Sequence, residues 1–457
     1  MRIPESILRQ YDIRGTVGDQ LTPDLARAVG QALATLATER LGRPPKLAVG
    51  RDNRPSGPDL ADGVIKGILA AGGSAVDVGA CPTPALYFAT HTLKVDGGLQ
   101  VTGSHNPPEF NGFKMVVSNS AIFGDDILLM GRLINEDRLA SRSGGTRSTH
   151  TTLLGEYRDA IVTRNAPLAR RLKAVVDCGN GVTSLIAIET LRALGAEIVP
   201  LFAESDGTFP NHHPDPTVLE NLRDLQAAVR REGAELGIAF DGDGDRIGAV
   251  TEDGTPVFGD QLLVLFGRDL VHRMGKGHAV IFDVKSSEVL AQELKRAGLA
   301  PTMWKTGHSL IKQKMKELHA PLAGEMSGHM FFGGDWYGFD DALFAAARLL
   351  HYVAREGGPL SRLLADIPKT VATPELRVDC PDDVKFAIVE KAARYFAARY
   401  PVSTLDGVRI TFAHGWGLLR ASNTQPVLVL RFEASTPEEL AAYRNEVEGW
   451  LAREARS

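Results

Sequence analysis

The sequence predicts an α/β protein made of three related β-α-β units with mostly parallel sheets, followed by a smaller α+β domain. Three observations predict it. A short apolar strand ending in an aspartate and turn residues occurs three times, at 47–52, 174–179 and 279–284. A helix-like run follows each of them, such as 59–71, and strands alternating with helices imply parallel pairing. Beyond residue 368 the chain changes character. A helical stretch at 382–400 leads to alternating strands around 408–410 and 427–432, and a helix at 437–453 closes the chain.

Each of the three units has a further strand that ends in a polar, glycine-containing loop. These loops are 102–107, 241–246 and 324–329. Ligands of parallel sheets bind outside the carboxyl ends of the strands, so the three loops are expected to converge on one cleft. Composition shifts near 141–148, 252–255 and 368–374 divide the chain into domains 1–148, 149–254, 255–368 and 369–457.

Composition limits the function classes. The 457 residues set a length prior of about three domains. The apolar fraction, 44%, is enough for several cores. With 51 basic against 56 acidic residues the net charge is −5, and no polybasic footprint points to nucleic acid. No run approaches the ~18 apolar residues of a membrane span, and the first residues lack the apolar stretch of a signal peptide. Three scattered cysteines fit a reducing cytosol and exclude a cysteine zinc site. The expectation is a cytoplasmic protein, with a monomer as the default.

The loop 241–246 carries the strongest chemical signal. It reads Asp241-Gly242-Asp243-Gly244-Asp245-Arg246, directly after the apolar strand-like run 236–240. Two carboxylates ~4 Å apart at an effective dielectric of ~20 repel by about 4 kcal/mol. A divalent cation removes that strain, and hard oxygen ligands suit Mg²⁺. The glycines let the backbone fold tightly enough to aim three side chains at one point. With Glu252 at position 12 the spacing imitates an EF-hand, but Arg246 stands where that loop needs glycine. A strand followed by Asp-x-Asp also resembles haloacid-dehalogenase-type phosphatases, in which the first aspartate, here Asp241, attacks. There the fifth position is usually Thr or Val, and Asp245 in its place favours metal holding.

The other loops supply complementary groups. Ser104 lies between Gly103 and His105-Asn106-Pro107-Pro108, a stiff exit, with His105 and Lys114 as cationic donors. A hydroxyl so placed is suited to nucleophilic attack or to carrying a phosphate. Glu325, Ser327 and His329 alternate, so in an extended loop they lie on one side and suit sugar hydroxyls. Lys305 to Ser309 adds a basic, hydroxyl-rich turn containing His308. Arg420, Ser422, Asn423 and Thr424 form a plausible phosphate cradle before a strand. Gly179-Asn180-Gly181 imitates a dinucleotide fingerprint, but Ser184 stands at its third glycine, so it reads as a strand-to-helix turn.

Taken together, these loops resemble the α-D-phosphohexomutase superfamily, close to its bacterial phosphomannomutase/phosphoglucomutase branch. The matching stretches are 11–15, 102–114, 241–246, 324–329 and 420–425, in the family's order along the chain. The resemblance implies four domains around a central cleft, the first three α/β with mixed sheets and the last α+β. It implies reversible interconversion of hexose 1-phosphates and 6-phosphates, of mannose or glucose, through a phosphoserine and a hexose 1,6-bisphosphate. Ser104 matches the phosphorylated serine, and Asp241, Asp243 and Asp245 match Mg²⁺ ligands completed by a phosphoserine oxygen. Arg246 matches a residue beside the transferring phosphate. Arg14, Lys114 and His329 match groups proposed for proton transfer or charge stabilisation. Tyr11, Lys285 and His308 match cleft and substrate contacts, Glu325 and Ser327 match sugar-hydroxyl contacts, and Arg420, Ser422, Asn423 and Thr424 match the grip on the phosphate that is not being transferred. The competing expectations are a metal-dependent sugar-phosphate phosphatase with Asp241 as nucleophile, and a sugar-phosphate-binding protein without turnover.

Overall fold

The first three sheets repeat one strand arrangement. The computed structural model describes residues 2–165, 167–423 and 425–454. In the first unit, β1 (Lys46–Arg51) lies between β2 (Ser74–Ala80) and β3 (Gly97–Val101), both parallel to it, and β4 (Phe110–Val117) returns antiparallel to β3. The second unit repeats this with β5 (Lys173–Asp177), β6 (Glu197–Leu201), β7 (Leu236–Phe240) and β8 (Ile247–Thr251). The third does so with β9 (Ala279–Asp283), β10 (Ala300–Trp304), β11 (Leu322–Gly324) and β12 (Met330–Phe332). Each unit therefore has three parallel strands and one antiparallel return. The sheets are thus mixed and mostly parallel, as expected.

This arrangement places the chemistry. The turn from the third parallel strand into the return strand is 102–109 in the first unit, 241–246 in the second and 325–329 in the third. All three polar loops thus occupy one topological position, at the carboxyl ends of central strands. The strands are apolar because both faces are covered: β3, β7 and β11 are buried along their whole lengths.

Extra strands extend the sheets at their edges. Ile13–Thr16 pairs antiparallel with β4, which carries Tyr11 and Arg14 to the side of the first loop. Arg147–Thr149 pairs with β2, so the first sheet ends on a strand that straddles residue 148. In the last unit, β13 (Val408–Phe412), β14 (Gly415–Ala421) and β15 (Val427–Ala434) form an antiparallel meander, with the helices Lys385–Ala397 and Pro437–Glu454 packed against it.

The apolar cores divide unevenly. One continuous core runs through the first three units, from Tyr87 and Tyr157 through Phe240 and Phe282 to Phe344. The last unit has its own core around Phe396, Phe432 and Trp450. Among the described residues a small apolar cluster of Val284, Trp416 and Leu418 joins it to the third unit. Polar contacts also cross that seam. Arg409 donates to the carbonyls of Val284 (2.6 Å) and Ser286 (3.0 Å), and Lys285 pairs with Glu375 at 3.0 Å. Among the described residues no helix is long and apolar enough to cross a membrane.

Candidate functional site

Ser104 sits on a loop held from behind by one buried arginine. Its backbone is left-handed, with φ at 51°, which is strained for a serine. Arg54, fully buried, commits all five N–H donors to this loop and its base. Nε donates to Asp52 Oδ2 at 3.1 Å, Nη1 to the carbonyls of Pro107 (2.5 Å) and Phe110 (3.0 Å), and Nη2 to those of Ser104 (2.8 Å) and Asn106 (2.6 Å). Asp52 in turn accepts from Thr102 Oγ1 at 2.8 Å and from the Gly103 N–H at 3.1 Å. The expected site residues do not include this pair. Asp52 was visible only as a strand end, and Arg54 has no motif around it.

Ser104 Oγ lies 3.2 Å from Asp241 Oδ2 and 3.1 Å from His105 Nδ1. Close approach of the two loops depends on Gly242, where a Cβ would come within 2.4 Å of the Ser104 carbonyl oxygen. His105 does not behave as the cation expected from sequence. Burial, reinforced by Arg246 and Arg14, pushes its pKa well below the usual imidazole range, so the ring is neutral.

Asp241, Asp243 and Asp245 are completely buried and offer ligand atoms within 4.8 Å of one another. Asp241 Oδ1 accepts the backbone N–H groups of Gly244, Asp245 and Arg246 at 3.0–3.1 Å, which fixes the loop. Lys114 Nζ reaches Asp243 Oδ2 at 2.7 Å and Asp245 Oδ2 at 2.5 Å, and Thr83 Oγ1 donates to Asp243. Asp243 Oδ1 is buried without a hydrogen-bond partner among the described residues, and Asp245 Oδ1 is buried with His329 Nε2 3.2 Å away. Three converging carboxylates with such an orphaned oxygen fit a hard divalent cation. Burial and the charges of Asp245 and Asp243 raise the pKa of Asp241 well above the usual range. Burial opposes ionisation of Asp245 too, but Lys114 and His329 hold its pKa well below that range. Burial likewise opposes the charge on Lys114, but Asp243 and Asp245 prevail and keep the ammonium protonated.

His329 joins the metal-type loop to the sugar-type loop. Its Nδ1 is 2.8 Å from Glu325 Oε2, and its Nε2 is 3.2 Å from both Asp245 Oδ1 and Arg246 Nε. Burial disfavours the imidazolium, but the two carboxylates outweigh it and lift the pKa to about 9. The charged ring cannot accept from Arg246, so that contact belongs to the neutral ring. Glu325 Oε1 accepts the Gly307 N–H at 2.6 Å, and Ser327 Oγ lies 3.3 Å from His329 Nδ1. The alternating trio is thus brought together, although Glu325 and His329 engage each other as well as facing the cleft.

The loop of the last unit meets the first unit. Asn423 Nδ2 donates to the Tyr11 hydroxyl at 2.9 Å, and that hydroxyl donates to the Thr306 carbonyl at 2.7 Å. Arg420 is buried and paired with Asp406 at 3.1 Å, and Asp406 also accepts the Thr306 N–H at 3.0 Å. Ser422 Oγ accepts the Gln425 N–H at 3.1 Å. Thr424 lies outside the described residues. Arg14 reaches Asp12 at 2.5 Å and Asn106 at 3.3 Å, beside the serine loop. Lys285 is held by Glu375, and His308 lies with its ring 5.8 Å from that of His329. Asp406 and Glu375, like Asp52 and Arg54, were not legible as site residues.

Four family profiles, described as phosphoglucomutase/phosphomannomutase alpha/beta/alpha domains I, II and III and C-terminal domain, match residues 5–129, 155–254, 258–371 and 375–449. The chain belongs to this family. A phosphomannomutase/phosphoglucomutase of Pseudomonas aeruginosa is 47% identical over 455 residues, covering 97% of this chain and 96% of that protein. A phosphoglucomutase of Neisseria gonorrhoeae is 43% identical over 97% of this chain and 96% of its own. A crystal structure of a family protein from Burkholderia thailandensis superposes with a TM-score of 0.90 at 44% identity, covering 98% of this chain and 97% of that one. An Aspergillus fumigatus N-acetylphosphoglucosamine mutase, 15% identical, shares the fold with a TM-score of 0.63 over 98% of this chain and 95% of its own, and is described in complex with glucose 1,6-bisphosphate.

Two outcomes follow from this geometry. Arg54→Ala leaves Asp52 buried and unpaired and strips four carbonyls of their donor, so urea denaturation is expected to show a loss of about 3–5 kcal/mol. A base whose pKa rises on folding holds its proton more tightly in the native state. The His329 contribution is therefore complete below pH 6.5 and is lost as pH rises through about 9. Denaturation of the metal-free protein across that window is expected to lose about 3 kcal/mol, and His329→Gln to abolish that slope.

Proposed function

We propose that the chain interconverts hexose 1-phosphates and hexose 6-phosphates, of both mannose and glucose, by way of a phosphoserine at Ser104 and a hexose 1,6-bisphosphate. The observation that carries this is the meeting of Ser104 Oγ with Asp241 at 3.2 Å, in a pocket where Lys114 stays charged. A phosphatase that uses Asp241 as its nucleophile has no use for a serine held there in a left-handed turn.

In the first half-reaction a free hydroxyl of the sugar attacks the phosphorus on Ser104. The new P–O bond forms as the bond to Oγ breaks, and the hydroxyl proton passes to the protein. His329 in its neutral form is the proposed carrier of that proton, a form that a cation held by Asp245 would favour by offsetting the carboxylate charge that raises the pKa, with Arg14 and Lys114 stabilising charge. Phosphoserine carries about −1.5 to −2 charges near neutral pH, which Lys114 and Arg246 offset. Mg²⁺, for which Asp241, Asp243 and Asp245 would be the ligands together with a phosphoserine oxygen, supplies further neutralisation when bound. Glu325 and Ser327 take the sugar hydroxyls, with Lys285, His308 and His105 around them. Arg420, Ser422, Asn423 and Thr424 grip the other phosphate, and Tyr11 braces that loop. The bisphosphate then turns round and Ser104 Oγ attacks its second phosphate: the P–O bond to the sugar breaks as the bond to Oγ forms, and the freed sugar oxygen takes back the proton that His329 had accepted.

Substrate breadth follows from what is touched. A site that reads only O3 and O4 tolerates either epimer at C2, and Met326 between Glu325 and Ser327 resembles the dual-specificity branch. The ligands proposed are small hexose phosphates, and the proposed setting is a monomer in the cytoplasm.

The decisive measurement pairs intact mass with product analysis. Wild type incubated with glucose 1,6-bisphosphate is expected to acquire a phosphate adduct that Ser104→Ala lacks. Ser104→Ala is expected to convert mannose 1-phosphate and glucose 1-phosphate at least about 10³-fold more slowly. Full activity of that variant with bisphosphate supplied overturns the mechanism, and release of free phosphate instead of a sugar 6-phosphate points to the phosphatase. Because the last unit rests on a polar seam, substrate is also expected to close it over the cleft. Small-angle scattering is expected to record a smaller radius of gyration with glucose 1-phosphate than without it.

A further inference from the structure

Asp340 is a completely buried carboxylate that the proposed reaction leaves unused. Its backbone is anchored by a β-bridge to Phe331, next to the return strand of the sugar loop. Its Oδ1 accepts Lys312 Nζ at 2.9 Å, and that ammonium lies 4.3 Å from the centre of the Tyr87 ring. Its Oδ2 lies 3.5 Å from Nδ1 of His308, and neither atom has a hydrogen-bond partner among the described residues. A buried carboxylate oxygen and a buried imidazole nitrogen left facing each other at that distance stand just short of a hydrogen bond, a gap that often tightens in catalytic sites when substrate binds.

The orientation of His308 follows. Burial, with Lys312, Lys114 and His329 nearby, keeps its ring neutral, so only one nitrogen carries a proton. Oδ2 is an acceptor only, which places that proton on Nδ1. The second nitrogen, Nε2, then keeps its lone pair. The His308 ring lies 6.0 Å from that of Tyr11 and 5.8 Å from that of His329, both residues of the candidate site.

We infer that Asp340 is a positioning residue that fixes His308 as the Nδ1–H tautomer, so that Nε2 offers an acceptor to a hydroxyl of the bound sugar. Lys312 is its counter-ion and holds the carboxylate in register. The inference rests on the mutase reading for its consequence in turnover, but the tautomer itself does not.

The test exploits a difference between aspartate and asparagine. Asparagine has one acceptor oxygen, and Lys312, which can only donate, takes it. The amide NH₂ of Asp340→Asn then faces His308 Nδ1 and forces the proton to Nε2. Nitrogen NMR of ¹⁵N-histidine-labelled protein, with His308 assigned by its loss in His308→Asn, reads the tautomer without turnover. Wild type is expected to show Nδ1–H and Asp340→Asn to show Nε2–H. In turnover of glucose 1-phosphate, Asp340→Asn is expected to lower kcat on the order of 10²-fold with KM changed by less than about 2-fold. In a His308→Asn background the same substitution is expected to have no further effect. Nε2–H in wild type overturns the inference, whether or not the variant folds. An unchanged tautomer in Asp340→Asn, or losses that multiply in the double variant, also overturns it. If the chain lacks mutase activity, the two tautomers still decide the positioning role.

Discussion

Lys114 pinned between Asp243 and Asp245 is the interaction on which the rest of the site depends. The three carboxylates come from the second unit, and the ammonium comes from β4 of the first. Three acids without solvent exposure would carry several kcal/mol of desolvation penalty each and repel one another. One cation from a different sheet offsets much of this, and the Thr83 hydroxyl, also from the first unit, adds a donor. The second unit can therefore bury its acidic loop without an uncompensated charge cluster only when docked on the first. That constraint explains the shared core: the apolar contact between units is what brings Lys114 to the aspartates and Ser104 to the same point.

The repeated strand order turns this docking into a cleft. Each unit puts its polar loop between a central parallel strand and an antiparallel return, so stacking the units brings the loops together without long insertions. The seams are tight because small residues occupy them. Gly242 lets the metal-type loop lie against the Ser104 carbonyl, and at Gly328 a Cβ would come within 2.3 Å of the Ile247 carbonyl oxygen. The left-handed φ at Ser104 is maintained by the same economy. Arg54 holds four loop carbonyls from behind, so the backbone pays its strain once and the hydroxyl is free to face the cleft.

How much of this was legible in the sequence depends on whether the signal is local. The strands at 47–52, 174–179 and 279–284 were readable because an apolar run ending in turn residues is a local pattern, and the aspartate triplet was readable because its three acids are two residues apart. The return strands that make the sheets mixed were harder. Met330–Phe332 has three residues and no alternation, and its pairing to Leu322–Gly324 is set by the turn between them. Arg54, Asp52, Asp340, Asp406 and Glu375 gave no warning, because each works through a partner far along the chain. Arg54 reaches residues 50 to 56 positions away, and Glu375 reaches Lys285 across 90. His105 was misjudged for the converse reason. Its identity suggests a cation, but its charge is decided by burial and by Arg246 and Arg14, which only the fold brings near.

The unequal joining of the units suits the chemistry of a ligand that must be held by either end. Phosphoryl transfer at Ser104 needs fixed geometry, since small misplacements of reacting groups are costly. The serine, the aspartates, Lys114 and His329 all belong to the three units that share one core. Gripping the distant phosphate needs the opposite, because the two orientations of a bisphosphate present that group differently. The arginine cradle lies on the unit that has its own core and meets the others through a small apolar cluster, ion pairs and hydrogen bonds, such as Asp406 to Thr306 and Asn423 to Tyr11. Such hydrogen bonds are individually worth about 0.5–1.5 kcal/mol net. A phosphate arriving between Arg420 and the cleft can outbid Asp406 for the guanidinium, because it offers more charge and more acceptor oxygens. In the proposed reaction the carboxylate thus keeps the cradle's arginine aimed while no phosphate is there, and yields it to whichever end of the sugar comes in.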